Sequence, residues 1–451
     1  MKVTEIYYSL QLTNTKLLKL SKIAKRLGTL RSEIWNEFGS LKGLRLTHRI
    51  IRDQWLKENK IFNVPARLWK ETLRDVIGDI TAYREAAKQK TRKAIYKHYK
   101  TDKDREAAYK LLRQDRWLTD PFLRRQMRKN FKHGHSRVSN HIILDSNCYT
   151  AFTKSGKAWI HVMSLERGKR IAIPLTTNKL PTGTLRLIIR EDRVEVHYSV
   201  EVTSLNRSMK SCGSKTIGVD KGYSEVFTDS EGYKHGEGFG VLLSNESDYL
   251  KTKYQKRNKL FAIAQEALKK GNYSKARQIE NHNLGRQKLN KRKQRHTQRV
   301  KDLVYKAAHS VVDKAKVIAA EDLTSSIPSK SLGKNTNRRL AAWVKGLIAI
   351  ALDSVSRRRC ASVVLVNCAY TSQVDSIEGL LKGDRRGDSF YRTNGDVLDA
   401  DWNAARNILA RLDDPDINRY TPYYVVKSIL LKRTRQRLGL LNQDSRCYEE
   451  G

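Results

Sequence analysis

The chain has 451 residues and a formal charge of +42, with 89 Lys and Arg against 47 Asp and Glu. Hydrophobic residues make up 39%, enough for several cored domains. No apolar run approaches the about 20 residues of a spanning helix, and Met1-Lys2-Val3-Thr4-Glu5 holds no apolar signal core. So large a positive surplus repels itself unless an anion screens it, which points to nucleic acid over a membrane surface and to a cytoplasmic, nucleoid-associated location.

Along the chain, residues 3–12 read as a strand, with Ile6, Tyr8 and Leu10 alternating with Tyr7 and Ser9. From Thr15 the period becomes helical: Leu17, Leu20, Ile23 and Leu27 recur, with Lys16, Lys19, Lys22 and Lys25 between them. Helical signals run to about Lys132 and include Trp69, Leu73, Ile77 and Ile80. They also include a basic run at 88–100 that we read as a nucleic-acid groove. Strand signals return near Ser139, at 159–163 and 170–173. A hairpin follows, 185–189 and 194–200 about the turn Arg190-Glu191-Asp192-Arg193. We expect these strands to form a small β-barrel that the N-terminal strand completes, with the helical block inserted. Residues 204–215 are rich in Ser, Gly and Lys and read as a linker.

Three acids then end apolar segments. Thr216-Ile217-Gly218-Val219-Asp220 is a short strand followed by Lys221-Gly222, where the glycine leaves room for a phosphate. A second strand at 224–228, a turn at 229–232 and a third strand from Tyr233 complete a meander. A long helical stretch at 254–312 carries a basic run without acids from Arg286 to Lys301. Ala315-Lys316-Val317-Ile318-Ala319-Ala320-Glu321 is a strand ending on acid. Asp399-Ala400-Asp401-Trp402-Asn403-Ala404-Ala405 is a turn feeding a helix, with Asp401 at or near the N-cap. Phosphodiester hydrolysis needs an activated nucleophile and charge neutralisation on the attacking and leaving oxygens, which paired Mg²⁺ ions supply. Such hard cations take carboxylate oxygens. Taken singly, each acid is equally a turn or cap residue. The five cysteines, Cys148, Cys212, Cys360, Cys368 and Cys447, are scattered, odd in number and form no C-x-x-C pair, so we expect reduced thiols.

Together Ile217-Gly218-Val219-Asp220-Lys221-Gly222, Ala320-Glu321-Asp322-Leu323 and Asp399-Ala400-Asp401-Trp402-Asn403-Ala404-Ala405-Arg406-Asn407-Ile408 resemble the three RuvC motifs of the TnpB family. These are transposon-encoded RNA-guided DNA endonucleases related to compact type V CRISPR effectors. The runs Leu340-Ala341-Ala342-Trp343-Val344-Lys345-Gly346 and Val366-Asn367-Cys368-Ala369-Tyr370-Thr371-Ser372-Gln373 match as well. The resemblance implies an α+β multidomain fold. Its β-barrel-like wedge domain (1–14 and 133–210) carries an inserted helical recognition bundle (15–132). A RuvC, RNase H-like nuclease domain follows (211–366), then a ribbon-like insertion (367–396), the third motif (397–412) and a tail (413–451).

The resemblance also implies Asp220, Glu321 and Asp401 as catalytic and metal-binding acids, with Asp322 and Asp399 as second choices. The metal is Mg²⁺, two ions, with Mn²⁺ able to substitute. It implies a guide RNA and target double-stranded DNA as partners, on a monomer. Expected nucleic-acid contacts are Lys221, Arg286, Lys288, Lys291, Arg292, Lys293, Arg295, Arg385 and Arg386. Where the family carries a four-cysteine zinc ribbon, this chain reads Asp375-Ser376-Ile377-Glu378-Gly379 and Tyr391-Arg392-Thr393-Asn394-Gly395, so no structural zinc is expected. Arg385, Arg386 and Arg392 are expected to replace the metal by ion pairs with Asp375, Glu378, Asp384 or Asp388. The competing readings are a nuclease-inactive RNA-guided repressor, an RNA-independent transposase and a junction resolvase. The tail at 429–441 is basic and reads either as an RNA-binding segment or as a loose surface helix.

Overall fold

Apolar residues at helical and alternating spacing build the N-terminal half. Its elements are β1 (Lys2–Tyr8), α1 (Asn14–Phe38), α2 (His48–Lys57), α3 (Ala66–His98), α4 (Asp102–Arg113), α5 (Pro121–Asn130), β2 (His141–Leu144), β3 (Tyr149–Lys154), β4 (Lys157–Met163), β5 (Arg170–Pro174), β6 (Leu185–Ile189) and β7 (Val194–Glu201). The computed structural model describes residues 2–201, 210–323 and 333–439. The chain divides into two units, Met1–Leu205 and Asn206–Gly451. Part of the segment expected to be a linker, residues 204–209, lies outside the described residues, as does Cys447. No helix among the described residues is long and apolar enough to cross a membrane.

In the first unit β1 pairs antiparallel with β7 along its whole length, so the helical block stands as an insertion after the first strand. The strands form two sheets, β1-β7-β6-β2 and β3-β4-β5, bridged where Ser9 meets Leu175. The expected closed barrel is corrected here: among the described residues no ladder joins β2 to β3. The chain turns tightly between them, with Cys148 N donating to Asp145 O, and β2 packs against α1 and α3 instead. Strand β3 escaped sequence reading because its burial does not alternate. The basic run at 88–100 is also corrected in part. Lys88 is buried and its amine is held by Asp115 at 2.8 Å, so it braces the bundle rather than facing a groove.

The second unit contains β8 (Lys215–Asp220), β9 (Phe227–Asp229), β10 (Lys234–His235), α6 (Phe239–Lys269), α7 (Tyr273–Asn283), α8 (Gln287–Lys314), β11 (Ala315–Glu321), α9 (Lys334–Ala341), α10 (Lys345–Arg358), β12 (Ser362–Val366), β13 (Asp384–Arg386), β14 (Ser389–Tyr391), β15 (Val397–Asp399), α11 (Ala400–Ala410) and α12 (Tyr423–Arg437). The main sheet has the order β10-β9-β8-β11-β12. Strands β8, β11 and β12 run parallel, and β9 and β10 complete the antiparallel meander. Ile217, Val219, Ile318 and Ala320 form one core with Val304, Ala308 and Val311 of α8 and Leu352 and Val355 of α10. Continuous apolar strands suit a parallel sheet with covered faces.

Two boundaries differ from expectation. The second strand starts at Phe227 rather than at 224, because the first turn of α6 packs onto Ser224, whose carbonyl accepts from Gly240 N at 2.8 Å. The helical stretch 254–312 is three helices, broken at Gly271, which takes a φ of 74°, and again at 284–286. Buried Asp229 ties the meander to α8: its Oδ2 accepts from His235 Nε2 at 3.0 Å and from Lys314.

Candidate functional site

Asp220 and Glu321 end neighbouring parallel strands. The register pairs Val219 with Ala320, so the two acids leave the sheet side by side at its C-terminal edge. In open α/β sheets this edge is where ligands bind. The third acid arrives on α11, which packs across β8. That crossing requires Gly218, where a Cβ would stand 2.2 Å from Ala405 O and 2.6 Å from Leu409 N. Trp402 Nε1 donates to Ser230 O at 3.1 Å and fixes the rotation of the helix.

Asp399, not Asp401, is the N-cap of α11. Its Oδ1 accepts from Asp401 N at 3.0 Å and Trp402 N at 2.9 Å, and its other oxygen pairs with Lys234 at 2.9 Å. Asp401 is thereby released to face the other two acids. Asp322 is buried and accepts from Arg419 Nε at 2.8 Å. The second choices, Asp322 and Asp399, thus have structural partners of their own.

The electrostatics mark the three acids as one group. Burial, then Glu321 and Asp401, push the Asp220 carboxyl well above its ordinary range. Burial raises Glu321 too, with Asp401 adding to it, against Thr371, Lys221 and Arg385. Crowded, desolvated carboxylates are a site short of positive charge.

Several side chains occupy or brace this site. Thr371 Oγ1 donates to Glu321 Oε1 at 2.5 Å. Asn407 Nδ2 donates to Thr371 O at 2.9 Å and to Val374 O at 2.7 Å, so α11 positions the loop that orients Glu321. Arg385 Nη2 donates to Asp401 Oδ1 at 2.7 Å. Among the described residues no three His, Cys, Asp or Glu side chains are disposed to hold one ion as they stand. Thr371, Asn407 and Gly218 were missed as functional residues. They lie within the motifs that carry the resemblance, yet their roles depend on contacts between distant segments.

Lys221 is corrected as a nucleic-acid contact. It is buried, and its amine donates to Glu321 O at 2.8 Å, tying the two strand ends together. The room beside Gly222 is likewise filled, since a Cβ there would meet Glu225 O at 2.7 Å. The basic residues of α8 divide. Lys288, Lys291, Arg292 and Arg295 line a cleft of about 1090 Å³ against α6, with Lys253, Lys256 and Arg299, whereas Arg286 and Lys293 do not line it. Within the cleft, Arg292 is bound to Glu246 at 2.6 Å and lies over the Tyr249 ring at 3.6 Å, so it builds the wall.

In the ribbon-like segment β13, β14 and β15 form a small antiparallel sheet. Arg392 binds Asp375 at 2.8 Å, Glu378 at 2.9 Å and Asp396 at 2.7 Å, joining the two arms by ion pairs. Arg386 pairs with Asp384 at 2.9 Å. Arg385 departs from expectation, since its acid is Asp401. Among the described residues Cys148, Cys212, Cys360 and Cys368 form no disulfide.

No family model matches the chain, and no curated protein matches it. Solved structures do resemble it at low identity. A Cas12f1 chain, from a complex with sgRNA and target DNA, has 13% identity and a TM-score of 0.40, over 93% of this chain and 99% of that one. The mini-RNA-guided endonuclease CRISPR-Cas phi3 has 10% identity and a TM-score of 0.47, over 92% and 93%. AacC2c1, from a binary complex with sgRNA, has 11% identity and a TM-score of 0.32, over 88% and 70%.

Proposed function

We propose that the chain is a Mg²⁺-dependent, RNA-guided DNA endonuclease of the TnpB and type V lineage, with a RuvC-type site made by Asp220, Glu321 and Asp401. One observation supports the hydrolase part: three carboxylates from separate segments lie at one sheet edge, and burial together with neighbouring carboxylates raises two of them above their ordinary range. That all-oxygen donor set fits magnesium, which takes few protein carboxylates and keeps its waters. When bound, the metal supplies Lewis-acid activation of water and charge neutralisation. The chain's own part is to hold the acids. Thr371 orients Glu321, Lys221 locks the strand ends, and the Asp399 cap presents Asp401. The expected products carry a 5′-phosphate and a 3′-hydroxyl.

The guide requirement rests on the sequence resemblance from Ile217 to Leu409. The cationic cleft between α6 and α8 supports a polyanionic partner. Base pairing by the guide would carry most sequence specificity, with the protein reading a short adjacent duplex motif. The deciding experiment is plasmid cleavage with the copurifying RNA and Mg²⁺. Wild type cuts, and Asp220→Ala binds RNA and target without cutting. Unchanged cutting by that variant would remove the proposal.

The second reading is a nuclease-inactive RNA-guided repressor, favoured by the Arg385 guanidinium lying on Asp401. Stable target binding by wild type without cleavage at any Mg²⁺ or Mn²⁺ concentration would select it.

A further inference from the structure

The basic C-terminal segment is part of a packed structure. Helix α12 buries Val426 and Leu430 in a cluster with Val374 and Ile417. Thr434 Oγ1 accepts from Leu381 N at 3.0 Å and donates to Leu430 O at 2.8 Å. This docking sets Arg433 and Arg437 beside Arg411, the C-cap of α11, around a cavity of about 320 Å³. Gln436 adds an amide group to its wall, and Asp414 is the one acid on it.

The charges around this cavity do not balance. Asp414 is consumed by Arg433, which binds both of its oxygens at 2.8 Å and reaches Asp416 at 2.5 Å. Arg437 donates to Glu378 O, a neutral acceptor. Arg411 is 7% exposed, and among the described residues its Nη1 has no hydrogen-bond partner and its Nη2 reaches Ala369 O at 3.3 Å. Burial works against its charge, and Asp414 compensates in part while Arg433 adds to the cost. A buried guanidinium without its own carboxylate is costly until an anion completes it. Planar guanidinium forks with an amide donor beside them are the chemistry that recognises phosphate.

We propose that this cavity is a phosphate-binding site, with Arg411 as its central ligand and Arg437 and Gln436 at its mouth. Its ligand is a phosphate group, either a phosphodiester of a polynucleotide or free inorganic phosphate. None of the three metal-site acids is on its wall, so the site stands whether or not the chain cleaves DNA.

The test uses the full chain and thermal melting in inorganic phosphate against KCl of equal ionic strength. Any response shared by wild type and variants is the non-specific effect of anions on a basic protein. The specific part is the wild-type excess. Arg411→Met, similar in length and uncharged, is expected to melt higher than wild type in phosphate-free buffer and to bind phosphate about tenfold more weakly. Arg437→Gln alters an exposed residue, keeps the fold and is expected to lose part of the excess. A second arm measures binding of a single-stranded oligonucleotide lacking terminal phosphates. Weakening by Arg411→Met there assigns the site to a polynucleotide backbone, and weakening with inorganic phosphate alone assigns it to the free ion. The proposal is overturned if both variants respond to both probes as wild type does, or if Arg411→Met lowers the phosphate-free melting temperature while leaving the excess intact.

Discussion

Arg385 lies on Asp401, Nη2 to Oδ1 at 2.7 Å, from a hairpin whose neighbouring strand β15 leads directly into the helix that carries Asp401. The guanidinium and a metal ion would therefore seek the same carboxylate. The same group also favours ionisation of Asp220 and Glu321. With the proposed metal bound, hairpin position and metal affinity would be linked by charge at short range.

Arg385→Gln is expected to raise Mn²⁺ affinity roughly tenfold, since it removes a competing unit charge a few ångströms away. Electron paramagnetic resonance of free Mn²⁺ measures it. Arg386→Gln is the control, because Arg386 pairs with Asp384 instead. Equal affinity in all three proteins would show that the guanidinium does not compete.

Stability without metal should fall as pH rises because of the acidic site. The folded carboxyl of Asp220 is raised from an ordinary 3.8, and that of Glu321 from 4.5. Below those values both folded and unfolded chains are protonated and the groups cost nothing. Above them the unfolded chain ionises first, so the folded state loses relative stability until its own raised values are passed. Asp220→Asn should therefore melt higher than wild type at neutral pH without metal. It should also gain less from added Mg²⁺ and cleave nothing. A lower melting temperature for the variant would contradict the assignment.

Asp229 has the opposite sign. His235 and Lys314 bind its buried carboxylate and overcome burial, drawing it down to about 2. Its contribution is complete above the ordinary 3.8 and is lost as pH falls towards about 2. Asp229→Asn is expected to cost about 2 kcal/mol, because it removes the buried carboxylate shared by His235 and Lys314 and leaves Lys314 with Glu231 alone at 2.8 Å. Urea unfolding of the second unit at neutral pH checks this.

Arg392 bridges the two arms of the ribbon-like segment, with its side chain 8% exposed and that of Asp375 2% exposed. Arg392→Ala strands the buried Asp375 carboxylate and loosens the segment locally. Amide exchange across residues 375–396 should accelerate while the main sheet stays protected. Stoichiometric zinc in tag-free protein would contradict the expectation that ion pairs serve in the metal's place.

Much of the local structure was legible in the chain. The hairpin β6–β7 and the strands β8 and β11 follow from alternation and apolar runs that neighbouring turns delimit. Strand β3 was not legible, because partial burial on both faces erases its period. The start of β9 was misplaced because the first turn of α6 competes for Ser224. The barrel stayed open because β2 packs against helices, a competition between partners far apart in sequence.

At the site, the sequence by itself determined which acids end which segments and that the chain carries a large cationic surplus, since charge and local period are properties of neighbouring residues. Tertiary structure alone decided that Asp399 caps while Asp401 faces the other acids, that Lys221 points inward to a carbonyl, and that Arg385 reaches Asp401 rather than a ribbon acid. The reason is physical. A carboxylate's role depends on which donors surround it and how little water reaches it, and both are set by segments that meet only when the strands align and Gly218 lets α11 close over them.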